Sequence, residues 1–104
     1  MGSIPTPGTI STMDLDQAIQ EVEPRPAAYV LRLSGEGTLY KGSARELNRR
    51  LRDHRAGRVS HTKNGRPLTL VHFEYFDDHK SARKRENYFK SGAGREWLKK
   101  MIED

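Results

Sequence analysis

The stretch AAYVLRLSGEGTLYKG, residues 27–42, decides the fold. Its first seven residues, Ala27–Leu33, are mostly apolar and favour a buried strand, and Thr38–Lys41 favours a returning strand. The segment between them, Gly35–Gly37, contains two glycines, which adopt the backbone conformations that tight turns require. The stretch therefore predicts a β-hairpin.

A helix and a basic loop are expected after the hairpin. The apolar spacing predicts a helix from Ala44 to about His54. Ser43 is expected to cap this helix, with Glu46 three residues later completing a capping box. Residues 57–66, GRVSHTKNGR, predict a polar, basic loop.

A third strand is expected from Leu68 to Phe76, where side chains alternate between two faces. The more apolar set is expected to face the core and comprises Thr69, Val71, Phe73 and Tyr75. The order of strands and helices predicts an α+β domain with a three-stranded antiparallel sheet flanked by helices.

Two helices are expected at the C-terminal end. The first runs from about Lys80 to Lys90 and is capped by Asp77 or Asp78. The second runs from about Gly94 to Ile102. It is expected to bring three apolar residues to the core: Trp97, Leu98 and Met101.

The first 26 residues differ in composition from the remainder. Residues 1–12 are rich in Pro, Gly, Ser and Thr, which predicts a disordered leader, and Asp14 to Val22 predicts a short helix capped by Asp14. The whole chain has a net charge of +5. Residues 1–26 carry a net charge of −3, so residues 27–104 carry +8. We expect an N-terminal leader over 1–26 and one folded domain over 27–104.

Composition limits the classes of function. A chain of 104 residues without cysteine suits one domain and excludes disulfides and thiolate metal sites. No apolar run approaches the length of a membrane span and the N-terminus lacks a signal peptide, so no membrane partner and a cytoplasmic location are expected. The positive charge of residues 27–104 favours binding to nucleic acid, because binding releases counterions from the phosphates. A basic surface that binds no ligand explains the charge equally well.

Two tyrosines and one helix face are the first candidates for chemistry. Tyr29 and Tyr40 lie on the two predicted hairpin strands, where a tyrosine commonly just fills a sheet face. Arg50 and His54 are four positions apart and share a helix face at the edge of the predicted core. The Arg50 guanidinium suits a phosphoryl oxyanion. Taken alone, the pair fits a solvated arginine and a helix-capping histidine better.

Glu86 is the next candidate. Ala82, Glu86 and Phe89 follow one face of the predicted helix, so the carboxylate projects from an otherwise apolar stripe. A buried carboxylate requires a cation. Mg²⁺ meets this requirement, since it binds one or two carboxylates together with waters and a substrate phosphate. An arginine such as Arg50 meets it equally well. The sequence does not decide between the metal ion and the arginine.

Two tripeptides give these candidates a context. Ala27-Ala28-Tyr29 and Tyr40-Lys41-Gly42 lie on neighbouring predicted strands, with their tyrosines eleven positions apart. They resemble the GIY-like and YIG-like tripeptides of the GIY-YIG nuclease superfamily. The resemblance extends over about residues 27–102 and is strongest to the small single-domain bacterial members.

Two longer segments carry the same resemblance. GSARELNRRLRDH, residues 42–54, resembles the family helix whose arginine and histidine fall here on Arg50 and His54. SARKRENYFKSGAGREWLKK, residues 81–100, resembles the region whose helix carries the metal-binding glutamate, here Glu86.

The resemblance implies an endonuclease that hydrolyses phosphodiester bonds in DNA, with RNA as an alternative substrate, in DNA repair or processing. It implies Mg²⁺ or another divalent cation held by Glu86, with Tyr29, Tyr40, Arg50 and His54 as catalytic residues. It leaves open which tyrosine acts on the attacking water. The residues expected to bind the nucleic acid are Lys41, Arg58, His61, Lys63, Arg66, Lys84 and Lys90.

The chain also departs from the family pattern. The first tripeptide lacks Gly and Ile, and Lys41 replaces the usual Ile or Val, on the strand face opposite Tyr40. No Asn follows Asn87, where several relatives carry one. Two other classes therefore stay open: a nucleic-acid-binding module of the same fold that does not cut, and an adaptor whose basic surface meets an acidic protein.

Overall fold

The computed structural model describes residues 13–34 and 37–103, without the side chain of Glu103. The predicted leader over 1–12 and the centre of the hairpin turn at Gly35 and Glu36 lie outside the described residues. The elements in chain order are β1 (Met13–Asp14), α1 (Leu15–Glu21), β2 (Ala27–Leu33), β3 (Leu39–Ala44), α2 (Leu47–Arg55), α3 (Ser60–Lys63), β4 (Leu68–Tyr75), α4 (His79–Lys90) and α5 (Gly92–Glu103).

The sheet has four antiparallel strands in the order β1-β4-β2-β3. The α+β class is confirmed, but the expectation of three strands is wrong. The additional strand, β1, pairs Met13 with Leu70 and Asp14 with Thr69. Two residues are too few to show the alternation by which a strand is recognised in a sequence. The hairpin strands β2 and β3 pair as expected. Among the described residues nothing pairs with the other side of β3, which therefore lies at a free edge of the sheet.

Helices cover both faces of the sheet. One buried cluster joins α1 and α2 to the sheet and includes Leu15, Tyr29 and Leu51, and a second joins α4 and α5 to it and includes Val30, Phe89 and Leu98. Residues 15–22 thus belong to the same core as the region that follows.

The predicted facing of β4 is wrong because a β-bulge interrupts its alternation. The ladder with β2 shifts register between Val30 and Leu31, which pair with His72 and Leu70 and leave Val71 without a partner on β2. Beyond the bulge the side chains exchange faces. Leu68, Leu70, Phe73 and Tyr75 therefore share one cluster, and Val71 belongs to the other.

Helix α2 begins later than predicted. The side chains of Asp14 and Asp78 accept hydrogen bonds from the backbone N–H groups of Gln17 and Ser81, so the predicted caps of α1 and α4 are confirmed. The predicted capping box at Ser43 and Glu46 is wrong, because residues 43 and 44 continue strand β3 and pair with β2. Glu46 occupies the N-cap position without a side-chain capping bond.

Two predictions nearer the C-terminus also require correction. The segment over residues 57–66 contains the short helix α3 rather than only a loop. Helix α5 buries Leu98 and half-buries Trp97, but Met101 is 50% exposed and does not reach the core. One face of α5 packs against the sheet through Leu98 and Ile102, which are four residues apart, and Met101 lies off that stripe.

Gly94→Ala is expected to lower the free energy of unfolding by about 3 kcal/mol, since a new methyl group here would overpack a dense region. A Cβ at Gly94 would collide with the backbone carbonyl of Tyr88 and lie 2.8 Å from the Cα of Phe89. Backbone atoms cannot rotate away, so α5 would have to shift from α4. Urea unfolding followed by Trp97 fluorescence measures the change.

Gly92→Ala is the matched control for this substitution. Nothing lies within 4 Å of a Cβ at Gly92, and alanine favours a helix more than glycine does. We expect this variant to unfold at the wild-type urea concentration or above it. Equal midpoints for the two variants would contradict the close packing of α4 against α5.

Candidate active site

The pairing of β2 with β3 brings the two motif tyrosines together. Tyr29 lies opposite Gly42, and the Tyr29 and Tyr40 rings are 6.4 Å apart between centroids. A Cβ at Gly42 would lie 2.6 Å from the Tyr29 hydroxyl oxygen. Gly42, the third residue of the YIG-like tripeptide, must therefore lack a side chain, because a Cβ would collide with the Tyr29 hydroxyl.

A chain of hydrogen bonds runs inward from Tyr29. Its hydroxyl lies 2.7 Å from Nε2 of His54, and Nδ1 of His54 lies 2.8 Å from Oγ1 of Thr62. The Thr62 hydroxyl donates to the Val59 carbonyl at 3.4 Å, so it accepts from Nδ1–H. That order assigns Nε2 as the acceptor of the Tyr29 O–H.

The protonation states of both groups agree with this order. Burial, followed by the charge of Arg50, lowers the pKa of His54 to about 4, so the imidazole is neutral near neutral pH. Burial and the neighbouring Tyr40 raise the pKa of Tyr29 above its usual value, so the phenol keeps its proton. Tyr29 is thus a neutral donor held by a neutral acceptor.

Sequence reasoning placed His54 at the edge of the core and did not identify Thr62. Both residues are completely buried. Thr62 lies in α3, within the segment expected to be a polar loop, so its composition gave no sign of a buried partner. A helix recognised over residues 60–63 would have placed Thr62 on an inward face.

Arg50 lies beside the tyrosine hydroxyls and faces solvent. Its side chain is 40% exposed, and NH1 lies 3.7 Å from Oδ2 of Asp53. Burial alone would lower its pKa, but the Tyr29 hydroxyl, Tyr40 and Asp53 raise it, so the guanidinium stays charged. This positive charge is available to an anion that approaches Tyr40.

Glu86 lies on the opposite side of β3. The Ser43 hydroxyl donates to its Oε1 at 2.6 Å, and the Lys90 ammonium contacts its Oε2 at 2.6 Å. The cation paired with Glu86 is therefore Lys90 and not Arg50. The negative charge of Glu86 makes the smallest contribution to the raised pKa of Tyr29. The structure thus brings Tyr29, Tyr40, Arg50 and His54 together and places Glu86 across β3 from them.

The donor set at Glu86 fits a hard divalent cation of the Mg²⁺ type. The carboxylate is 19% exposed and already binds one cation, the Lys90 ammonium, with the Ser43 hydroxyl oxygen beside it. Over the described residues, no group of three or more His, Asp or Glu side chains could hold a metal alone. Mg²⁺ suits such a place because waters and a substrate phosphate complete its ligands.

The predicted nucleic-acid-binding residues fall into two groups. Lys41, His61 and Lys90 line a hollow of about 290 Å³ together with Leu39 and Tyr40, next to the site. The others do not line this hollow: Arg58 contacts Asp53, which also contacts Arg50; Lys63 and Arg66 line a separate hollow beside α1; and Lys84 is exposed on α4.

A buried ion cluster on the other face of the sheet was not identified from the sequence. Glu74 accepts from Arg85 at 2.9 Å and lies 2.7 Å from Nε2 of His72. Burial alone would raise the pKa of Glu74, but the hydrogen bonds from His72 and Arg85 lower it. The Arg85 guanidinium also packs over the ring of Trp97, so the cluster connects β4, α4 and α5.

Comparison with known proteins agrees with this geometry. A family model described as the GIY-YIG catalytic domain matches residues 26–100. A UPF0213 protein of Haloquadratum walsbyi is 41% identical over 64 residues, which are 61% of this chain and 71% of that protein. A UPF0213 protein of Listeria innocua is 40% identical over 63 residues, or 60% of this chain and 69% of that protein.

A third relative extends the comparison. A UPF0213 protein of Lactiplantibacillus plantarum is 43% identical over 65 residues, which are 60% of this chain and 63% of that protein. No solved structure gives a significant match. A search of the described residues finds no helix with the length and hydropathy needed to span a membrane.

Proposed function

Because the chain belongs to the GIY-YIG catalytic domain family, a family of nucleases, we propose that it is a metal-dependent endonuclease that hydrolyses phosphodiester bonds in DNA. One observation carries this proposal: Tyr29, Tyr40 and Arg50, which are distant in the sequence, lie together beside β3, and Glu86 lies across the same strand, where the Ser43 hydroxyl donates to it. These residues offer a solvent-facing cation, a half-buried phenol and a carboxylate, which can stabilise phosphoryl charge, orient a water and hold a divalent cation.

Arg50 is assigned to the scissile phosphate. Its planar guanidinium matches two phosphoryl oxygens and neutralises the negative charge that increases on them as water attacks phosphorus. The weak contact with Asp53, at 3.7 Å, leaves the guanidinium free to turn toward a substrate.

Tyr40 is assigned to the attacking water. It is half-buried, so its hydroxyl can reach solvent, whereas Tyr29 is completely enclosed. Tyr29 is a positioning residue, because its ring supports Tyr40 and its hydroxyl is fixed by His54. His54 in turn supports both rings, with centroid distances of 5.5 Å to Tyr29 and 5.2 Å to Tyr40.

Glu86 is assigned to the divalent cation, with the Ser43 hydroxyl orienting the carboxylate. When bound, the cation would act as a Lewis acid that stabilises negative charge on the leaving oxygen. Lys90 would then leave the carboxylate and become available to a backbone phosphate, together with Lys41 and His61 in the adjacent hollow. Nucleic-acid contacts by Arg58, Lys63, Arg66 and Lys84 stay predictions.

Cleavage assays on several DNA forms test the proposal. Purified protein is incubated with supercoiled plasmid and with duplex, branched and single-stranded oligonucleotides, in Mg²⁺ and in excess chelator. We expect cleavage of at least one DNA form in Mg²⁺ and none in chelator. Intact DNA of every form in both Mg²⁺ and Mn²⁺ would contradict an endonuclease and favour a module that binds without cutting.

Three finer points stay predictions: a role in DNA repair, a cytoplasmic location, and a domain that begins at residue 27. The same assays repeated with RNA oligonucleotides measure the preference for DNA.

A further inference from the structure

A second cationic hollow lies near the start of β3, on the face that α5 covers. It has a volume of about 350 Å³, and four of its lining residues are cationic: Arg32, Lys41, Arg95 and Lys99. The aliphatic side chains of Leu39, Leu98 and Ile102 also line it.

Within the part of the chain that the structure describes, these four cations have no ion-pair partner. Across residues 13–34 and 37–102, no carboxylate lies within ion-pair distance of any of them. The four cations around one hollow give it a positive potential. The pKa of Lys41 is lowered first by burial and then by the charges of Arg95 and Lys90. Collecting like charges without partners is unfavourable, and a bound anion would offset that cost.

The hollow is continuous with the candidate active site. Leu39 and Lys41 also line the hollow that contains Tyr40, His61 and Lys90. Past Glu86, a further hollow of about 400 Å³ is lined by Arg45, Arg49 and Arg50, together with the carboxylates of Glu46 and Asp53. Cationic side chains thus outnumber carboxylates along the edge of β3.

The length of this edge suits several phosphates of one strand. Strand β3 has six residues, which at about 3.3 Å each extend about 20 Å. Phosphates of one strand rise by 3.4 Å or so per step along a duplex axis while they wind around it, so the edge is long enough to contact several of them.

We propose that the hollow formed by Arg32, Lys41, Arg95 and Lys99 binds the nucleic-acid backbone through its phosphates, away from the scissile bond. The inference rests on the proposed function, since it takes nucleic acid as the ligand. Two arginines supply forked donors that match phosphate oxygens, and the aliphatic residues beneath them can contact the sugars.

The experiment compares two double variants, each combined with Glu86→Gln so that the DNA stays intact. Arg95→Gln/Lys99→Gln removes two cations from the hollow. Arg52→Gln/Lys100→Gln removes two exposed cations that line none of the hollows along β3. Affinity is measured at several salt concentrations for labelled DNA, in the form cut by the wild type or as both duplex and single strand.

We expect Arg95→Gln/Lys99→Gln to weaken binding of an oligonucleotide of about 20 nucleotides about tenfold, and to reduce the slope of log K against log salt by about 2. The reference for both pairs is Glu86→Gln alone, and the control pair should keep the affinity and slope of that variant.

Unchanged affinity and slope in Arg95→Gln/Lys99→Gln would overturn the inference, whether or not the wild type cuts DNA. An equal loss in the control pair would also overturn it, because the effect would then report net charge alone. Reduced binding confined to Arg95→Gln/Lys99→Gln supports the site even if the wild type leaves DNA intact, in which case only the proposed nuclease activity fails.

Discussion

Glu86→Gln is expected to lower the rate of Mg²⁺-dependent cleavage about a thousandfold, which corresponds to a barrier higher by about 4 kcal/mol. Glutamine keeps the size of the side chain and can still accept from the Ser43 hydroxyl. It loses the negative charge that a divalent cation requires. Cleavage rates at saturating Mg²⁺ and calorimetric titration of the free protein with Mn²⁺ measure the two losses separately.

Lys90→Gln is the matched control, because it breaks the same ion pair from its other end. The ammonium contacts Glu86 at 2.6 Å and the Lys90 side chain is 53% exposed, so the pair contributes at most about 1 kcal/mol to stability. Both variants should therefore remain folded, with melting temperatures close to that of the wild type. Lys90→Gln should keep its affinity for the cation. Metal-dependent cleavage by Glu86→Gln at the wild-type rate would exclude Glu86 as the metal ligand.

The hairpin could be predicted because its determinants are local. The apolar run over Ala27–Leu33, two glycines and a short returning strand are contiguous, and β2 and β3 form where they predict. The errors arose where distant residues decide the structure. Ser43 would cap a helix in isolation, but pairing with β2 extends β3 through Ala44 and its hydroxyl contacts Glu86 instead.

Strand β4 shows a second limit of sequence patterns. Alternation assigns residues to faces only while the register holds, and the bulge at Val71 changes the assignment for half of the strand. Helices on both sides then bury nearly all of β4, including His72 and Glu74. An alternating pattern predicts one buried and one exposed face, so it could not predict a strand that helices bury on both faces.

The candidate site shows the same division between local and distant determinants. The positions of Tyr29, Tyr40, Arg50 and Glu86 follow from motifs, and the structure brings the first three together with Glu86 across β3. Their partners depend on packing. Thr62 hydrogen-bonds to His54 from a short helix that the sequence did not indicate. The cation that contacts Glu86 is Lys90, whereas the sequence had suggested a metal ion or an arginine.

Tyr40→Phe and Tyr29→Phe should have separable effects, because one hydroxyl faces solvent and the other is enclosed. Tyr40→Phe removes the group assigned to the water, so we expect cleavage to slow about a hundredfold. Its free energy of unfolding should change by less than about 0.5 kcal/mol, as for most surface substitutions. Rates at saturating substrate and urea unfolding give the two quantities for each variant.

Tyr29→Phe should instead act mainly on stability. It removes the donor that lies 2.7 Å from Nε2 of His54 and leaves a buried acceptor unpaired, which costs about 1–3 kcal/mol. Cleavage should fall about tenfold, less than for Tyr40→Phe, because Tyr29 acts by holding its neighbour in place. The reverse result, with Tyr29→Phe inactive but stable and Tyr40→Phe active, would exchange the two roles. The enclosed hydroxyl would then have to become accessible when the substrate binds.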